Sequence, residues 1–283
     1  MTTADVFAAC RPRLLGVAYG MLGTLDEAED VVQDAWLRWS AADAGAVRNA
    51  EAFLVTVTTR LAIDELRSAR ARRETYVGPW LPEPLITGPG PQDRVLEAEQ
   101  LSLALLTALE RLNPVERAVL LLRDVFDVEY AAVADAIEKS PANCRQIAAR
   151  ARERVGEPGR RRPVEPEEEE RLMAAFVAAA STGDLEALTA LLAADAVLYS
   201  DGGGVVPAAR KPIYGAAKAA RFLLGVQRKI DYEPVIALVR VNGDPGLRVD
   251  GPDGVVSILA LEVADGAIAN VRIVNNPHKL TRC

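Results

Sequence analysis

Few residues in this chain have the types and spacing that covalent chemistry needs. His278 is the only histidine in 283 residues, so a Ser/His/Asp or Cys/His arrangement would rest on it alone. Cys10, Cys144 and Cys283 are odd in number and far apart, which argues against both a disulfide framework and a zinc site. Asp201 opens the run DGGG and could be read as a buried proton-moving carboxylate. No acid and base pair accompanies it, and the glycines equally suit a turn that needs positive φ. No catalytic residue, metal or cofactor is therefore expected. The better-supplied chemistry is recognition, where Asn143, Arg145, Gln146 and Arg150 are residue types able to bond base edges and phosphates.

Those four residues need a helix to aim them. PANCRQIAARARERV supplies one, with Ser140 as its cap and Pro141 as its first residue. EYAAVADAI precedes it as a shorter helix, and EKS is a three-residue turn between them. Ala131, Val133, Ala134, Ile137, Ile147 and Ala151 supply the small apolar contacts that two helices crossing over a tight turn require. This is helix-turn-helix spacing, although two core helices with a basic exterior would fit the same residues. Upstream, a helical pattern resumes at Asp93, and Asn113 caps another helix begun by Pro114.

The stretch DEAEDVVQDAWLRW, from Asp26 to Trp39, poses the opposite electrostatic question. Ala28, Val31, Val32, Ala35, Trp36 and Trp39 recur at spacings of three and four along one helical stripe. Asp26, Glu27, Glu29, Asp30 and Asp34 crowd its first turns, where the macrodipole favours negative charge and Thr24 or Asp26 can cap. The acidic side is either a solvated face or a surface that something grips. Before it, Val6, Leu14, Leu15, Ala18, Met21 and Leu22 outline a helix ending near Gly23.

After a loop at 40–49, AEAFLVTVTTRLAIDELRSARARR reads as one long helix with Arg67, Arg70, Arg72 and Arg73 near its end. One or two complement the helix C-terminus, and the group is expected to track phosphates. A second basic cluster runs from Lys139 to Arg162 and includes Arg160, Arg161 and Arg162. The formal net charge is -7, yet such patches can meet nucleic acid because electrostatics is local at a Debye length of about 8 Å.

Length predicts two or three domains, and a 50% hydrophobic content predicts packed cores. Neither a signal peptide nor a run of roughly 18 apolar residues is present, so a cytoplasmic protein with no membrane partner is expected. YVGPWLPEPLITGPGP is a non-helical linker in which Trp80 and Leu81 should dock on something. RRRPVEPEEEE reads as a charged hinge, followed by helices at Leu172–Ser181 and from Asp184. The strands AVLYS, PVIALVRV, LRVD, VVSILALEV and AIANVRIV come next, separated by Gly, Asp or Asn turns. Helices followed by an antiparallel meander suggest an α+β half-open cone.

AEDVVQDAWLRW, LAIDELR and LNPVERAVLLLRDVFDVEYAAVADAI, in that order, resemble the extracytoplasmic-function group of bacterial sigma factors. WLPEP, DGGG and NPHKL resemble the subgroup whose sigma domains carry a SnoaL-like C-terminal extension. The resemblance implies a multidomain chain with two all-α sigma domains and an α+β cone. Residues 1–73 would be sigma region 2, 74–92 a linker, 93–156 the region 4 helix-turn-helix, 157–170 a hinge and 171–283 the SnoaL-like domain. It implies that Glu29, Asp30, Gln33, Asp34, Trp36 and Leu37 bind the clamp helices of bacterial core RNA polymerase. Arg48, Asn49, Arg60, Arg67 and Arg70 would serve the -10 element of promoter DNA, and Asn143, Arg145, Gln146 and Arg150 the -35 element.

Thr59-Arg60 stands where an Arg-Asn pair is common, and Ile147 where a basic residue often follows, so base preference is not carried over. His278 stands where the subgroup commonly has Asp, which would weaken a charge contact there near neutral pH. The linker residues Trp80, Leu81, Pro82, Glu83 and Pro84 are expected to lie near Asp201, Gly202, Gly203 and Gly204. Asn276, Pro277, His278, Lys279 and Leu280 should join them, making the tail a built-in regulator. The other function considered is a SnoaL-like enzyme or ligand sensor that a helical module delivers to DNA, with an unidentified small ligand in its pocket.

Overall fold

The computed structural model describes residues 2–43, 47–87, 101–156 and 165–283. The expected helix start at 93–100, the end of the linker, Arg160, Arg161, Arg162 and most of the charged hinge lie outside the described residues, as does the side chain of Arg72. The chain divides into two compact units. The first is built from residues up to Thr75 and from Leu105 to Gly156, and the second mainly from Tyr76–Thr87 and residues from Glu165 onward.

The first unit is all-α. Helix α1 (Thr3–Leu22) stops at Gly23, whose φ of 79° is the left-handed cap that a residue without Cβ adopts at least cost. α2 (Leu25–Ala41) buries the apolar stripe Ala28, Val31, Val32, Ala35 and Trp39, while α3 (Ala50–Arg73) begins where the Asn49 side chain accepts from the Ala52 amide. Thr24 occupies the α2 cap position, but its hydroxyl donates to Glu27 at 2.8 Å rather than accepting from a backbone amide.

After α4 (Leu103–Leu109), Asn113 and Glu116 form a reciprocal capping box at α5 (Pro114–Leu120), which runs into a π-helical turn at Leu121–Val125. α6 (Tyr130–Ile137) and α7 (Pro141–Val155) complete the unit, with Ser140 capping α7. Of the contacts expected between α6 and α7, Val133, Ala134, Ile137 and Ala151 are buried. Ala131 is exposed and Ile147 half-buried, and Cys144, Ala148 and Val155 fill the seam instead. Cys144 therefore serves as a small hydrophobe.

α1 reaches the later helices through two glycines one turn apart. A Cβ on Gly16 would stand 3.3 Å from the Phe126 ring, and one on Gly20 would stand 3.2 Å from Leu121. Without those side chains, helix backbone and large apolar groups approach closely enough to share one core.

The second unit is α+β. Strands β1 (Ile86–Thr87), β2 (Leu192–Asp201), β3 (Ile213–Tyr214), β4 (Val235–Val241), β5 (Asp244–Gly251), β6 (Gly254–Ala264) and β7 (Ala267–Val274) form a sheet in the order β1-β4-β5-β6-β7-β2-β3. β4 to β7 are the expected antiparallel meander, but β2 lies parallel to β7, with Leu198 opposite Val271. The sheet is mixed because the chain makes β2 before α10 (Ala216–Gln227) and returns to it last.

α8 (Pro166–Thr182), α9 (Leu185–Leu191) and α10 pack Phe176, Leu188, Ala220 and Leu224 against Leu198, Leu247, Leu261 and Val271. Each such leucine contributes about 1.5–3 kcal/mol. Glu167, Glu168 and Glu169, expected in the hinge, form the first turn of α8 behind Pro166, where the helix dipole favours them. Among the described residues no helix is long and apolar enough to cross a membrane.

Candidate functional site

The acidic helix α2 separates its two halves cleanly. Trp39 is buried and its indole donates to the Thr3 carbonyl at 3.0 Å, and Trp36 tilts against Phe7 with ring centroids 5.0 Å apart. Asp30, Gln33, Asp34 and Leu37 are exposed, while Glu29 and Trp36 are half-buried at the edge. Leu37 leaves 54% of its surface in water beside these carboxylates. An exposed leucine in an acidic field suits a partner that is basic with an apolar centre.

The arginines of α3 are less available than their number suggests. Arg67 is exposed and pairs with Asp64 on its own helix. Arg70, half-buried, donates to the Leu112 carbonyl. Arg73 donates to the Leu22 carbonyl and bonds both Glu110 oxygens at 3.0 Å. Arg117, wholly buried, joins the same Glu110 and donates to the Gly20 carbonyl at 3.0 Å. Burial acts to raise the Glu110 carboxyl, but Arg117 and Arg73 overcome it and hold the group below its ordinary value.

Arg60 donates to the Ala136 and Asp135 carbonyls at 3.0 and 2.7 Å, close to the exposed end of α6. In this arrangement Arg70 and Arg73 do not point outward together as one phosphate-tracking face of α3. Their guanidinium groups are engaged inside the unit, Arg70 by the Leu112 carbonyl and Arg73 by the Leu22 carbonyl and the half-buried Glu110 carboxylate. Arg48 and Asn49 are exposed ahead of α3, and Asn49 is occupied in capping it.

On α7, Asn143, Arg145, Gln146 and Arg150 are all exposed, while Cys144, Ala148 and Ala151 face inward. The helix thus presents a polar face whose donors can meet base edges and phosphates.

In the second unit the linker residues and two distant segments converge on Asp201. Its side chain is fully buried. One carboxylate oxygen accepts from the Tyr76 hydroxyl at 2.6 Å and the Gly203 amide at 3.0 Å. The other accepts from the Leu81 amide at 2.9 Å and Lys279 Nζ at 2.8 Å. These four donors fill the acceptor positions of a carboxylate, so Asp201 is a structural anchor and not a proton-transfer group.

Lys279 also donates to the Leu81 carbonyl, and its ammonium lies 4.2 Å from the Trp80 ring centroid and 5.1 Å from that of Tyr76. Asn276 donates to the Tyr76 hydroxyl at 2.9 Å. The glycines are needed for geometric reasons: a Cβ on Gly202 would lie 2.3 Å from the Val206 carbonyl oxygen, and one on Gly203, at φ 63°, would lie 2.5 Å from Asn276. Gly204, also at positive φ, packs near Val77.

Leu81, Pro82, Glu83, Pro84 and Leu280 are buried, whereas Pro277 and His278 are exposed. The charge contact of this segment is made by Lys279, so His278 leaves it intact, contrary to the expected weakening.

Sequence reasoning missed three members of this assembly. Tyr76 opens the linker stretch YVGPWLPEPLITGPGP, but nothing about it marked it as a partner of Asp201. Asn242, a buried residue at φ 52°, accepts from the Leu85 amide at 2.9 Å and returns its own amide to the Leu85 carbonyl at 2.8 Å. Thr87 accepts from the Gly243 amide at 3.1 Å. The signal available was the Asn-Gly pair after a strand, which marks a turn but not its partner. Beside it, burial pushes the Asp244 carboxyl up to about 7, Arg272 opposing and Glu262 reinforcing the shift. Cys283 completes the segment 3.5 Å from the Pro84 carbonyl, its thiol pushed up to about 11 by burial and Glu83. All three cysteines are free, and no cluster of potential metal ligands occurs among the described residues.

Comparison with known proteins agrees with this layout. Residues 6–72 match the Sigma-70 region 2 family and 102–155 match Sigma-70, region 4. The chain is 40% identical over 297 residues to the ECF RNA polymerase sigma factor SigJ of Mycobacterium tuberculosis, covering 97% of this chain and 92% of that one. It is 31% identical to a probable ECF RNA polymerase sigma factor, SigI, of the same organism, covering 96% and 92%. The crystal structure of the Mycobacterium tuberculosis SigJ protein superposes with a TM-score of 0.80 at 35% identity, covering 99% of this chain and 98% of that one.

Proposed function

We propose a function from one premise: the chain belongs to the extracytoplasmic-function RNA polymerase sigma factors. It directs promoter-specific transcription initiation by core RNA polymerase. The observation that carries this reading is the ordered pair of regions 2 and 4, the second ending in a helix-turn-helix whose outer face is polar. In this reading Glu29, Asp30, Gln33, Asp34, Trp36 and Leu37 bind the clamp helices of the polymerase largest subunit. Arg48, Asn49 and Arg67 serve the -10 element, and Asn143, Arg145, Gln146 and Arg150 serve the -35 element. Arg60 and Arg70 reach DNA only after regions 2 and 4 part, since carbonyls of region 4 hold them in the arrangement described. The chain performs no chemistry of its own, because the polymerase makes the RNA, and it works in the cytoplasm with the chromosome.

The SnoaL-like domain acts in this reading as a built-in regulator through its grip on the linker. Support comes from the buried Asp201–Lys279 pair, which fixes the backbone of Leu81 on both its amide and its carbonyl. An enzyme role for Asp201 is not favoured, since its oxygens are occupied. The test combines Asp30→Lys with Gln33→Ala and measures affinity for core polymerase alongside thermal melting. Binding should weaken about tenfold or more with melting unchanged, the loss expected when a charge in an interface is reversed. Undiminished affinity in the folded variant would sink the assignment of this face.

A further inference from the structure

The recognition helix carries Arg145 at its fifth position, and this side chain does not hang free in water. Its guanidinium carbon lies 5.2 Å from the ring centroid of Tyr130, the first residue of α6. A second guanidinium, Arg123, lies 5.3 Å from the same ring and is tied down by Asp127 at 2.9 Å and the Val128 carbonyl at 3.3 Å. A third, Arg152, is fixed by two bonds to Asp124, at 2.8 and 2.6 Å, and Asp124 and Tyr130 together raise its pKa. The half-buried ring is therefore surrounded by arginines, of which Arg123 and Arg152 have their own carboxylate partners. Arg145 has the ring.

We propose that Tyr130 is a positioning residue for promoter reading, holding Arg145 in the orientation from which it meets the edge of a base in the -35 element. The inference rests on the function proposed above, in which α7 enters the major groove. An arginine reads guanine only when its planar fork is aligned with two acceptors on the base edge. A flexible arginine must give up rotamer freedom on binding, whereas one stacked on a ring has given it up already. The ring also attracts a guanidinium through its negative face without removing any of its donors, which stay available to DNA. Arg123 and Arg152 hold carboxylate partners of their own, Asp127 and Asp124. Those bonds keep them from competing with Arg145 for the base.

The experiment uses the full chain bound to core polymerase and a fluorescent promoter duplex. Tyr130→Phe, Tyr130→Leu, Arg145→Ala and the Leu/Ala double variant are compared on the cognate duplex and on duplexes substituted through the -35 element. Tyr130→Phe keeps the ring and should bind like the parent. Tyr130→Leu keeps an apolar side chain without the ring face and should weaken cognate binding about two- to fivefold, the range of an exposed cation–ring contact. It should also flatten discrimination at the base that Arg145→Ala identifies, while leaving binding to substituted duplexes unchanged. The double variant should be no weaker than Arg145→Ala alone, since the two act as one unit.

Additive losses would mean that Tyr130 touches DNA itself or merely supports the fold, and would overturn the positioning role. So would a Tyr130→Leu protein that binds and discriminates like the parent while Arg145→Ala does not, an outcome that leaves the reading of α7 standing. Arg145→Ala without effect on any duplex would remove both.

Discussion

Two carboxylates at internal junctions, Glu110 and Asp201, show how differently one chain can use a buried acid. Glu110 keeps 23% of its side chain in water and faces the guanidinium groups of Arg73 and Arg117, which also have carbonyl partners in Leu22 and Gly20. Asp201 keeps none, and its four donors include a backbone amide of the linker and the ammonium of Lys279. The first contact joins regions 2 and 4 with groups that retain other bonds when it breaks. The second is part of the fold of its unit. Parting the first would leave Arg73 on the Leu22 carbonyl and Glu110 on Arg117, whereas parting the second would leave a buried ammonium and a buried carboxylate without each other.

The contrast predicts unequal costs. Asp201→Ala leaves the Lys279 ammonium buried without its counter-charge, so the second unit should lose about 3–5 kcal/mol in denaturant unfolding. A loss below about 1 kcal/mol would put both carboxylates on one footing. Glu110→Ala should cost less, about 1.5–3 kcal/mol, because water reaches the site and Arg73 and Arg117 keep their carbonyls. Hydrogen exchange should show that loss in amides of the first unit while protection in the second is unchanged. Equal loosening of both units would mean that the carboxylates do not serve separate bodies.

The third effect is tied to pH. Asp244 adjoins the turn that receives Leu85 and Thr87, and its folded pKa of about 7 lies above the unfolded value of about 3.9. Between those values the folded state holds a proton that the unfolded state has released. Stability from this group is thus complete below about pH 4 and declines as pH rises through 7, by on the order of 1–3 kcal/mol once its partial exposure to water is allowed for. Asp244→Asn should flatten that slope in melting temperature. A slope unchanged in the variant would assign it to another group.

Much of the architecture follows from short-range pattern. Ser140-Pro141 and Asn113-Pro114 start helices where capping chemistry says they must, and the Val and Ile runs become strands. The mixed α and α+β class and the sigma-factor membership follow from such motifs in order. Pairing of β2 with β7 was not readable, since a parallel neighbour is chosen by the packing of helices between strands and not by either strand alone. Nor were the directions of Arg70 and Arg73. A guanidinium on a helix surface looks the same in sequence whether phosphate or a neighbouring carbonyl will satisfy it. For Asp201 the residues suggested a turn and the resemblance suggested proximity to the linker. The missing part was Tyr76 and Asn242, single polar residues whose partners lie 125 and 157 positions away.

That separation has a consequence for synthesis. Lys279 lies 198 residues beyond the Leu81 carbonyl it binds. At about 5–20 residues per second, a ribosome needs on the order of 10–40 s to deliver one after the other. During that interval Leu81 and Trp80 lack their last native partner, while region 2 is already made and region 4 is completed well before Lys279 arrives. The helical module is therefore born ahead of the clasp on its own connector, and each new molecule passes once through an unclasped form before its final strand and C-terminal turn arrive.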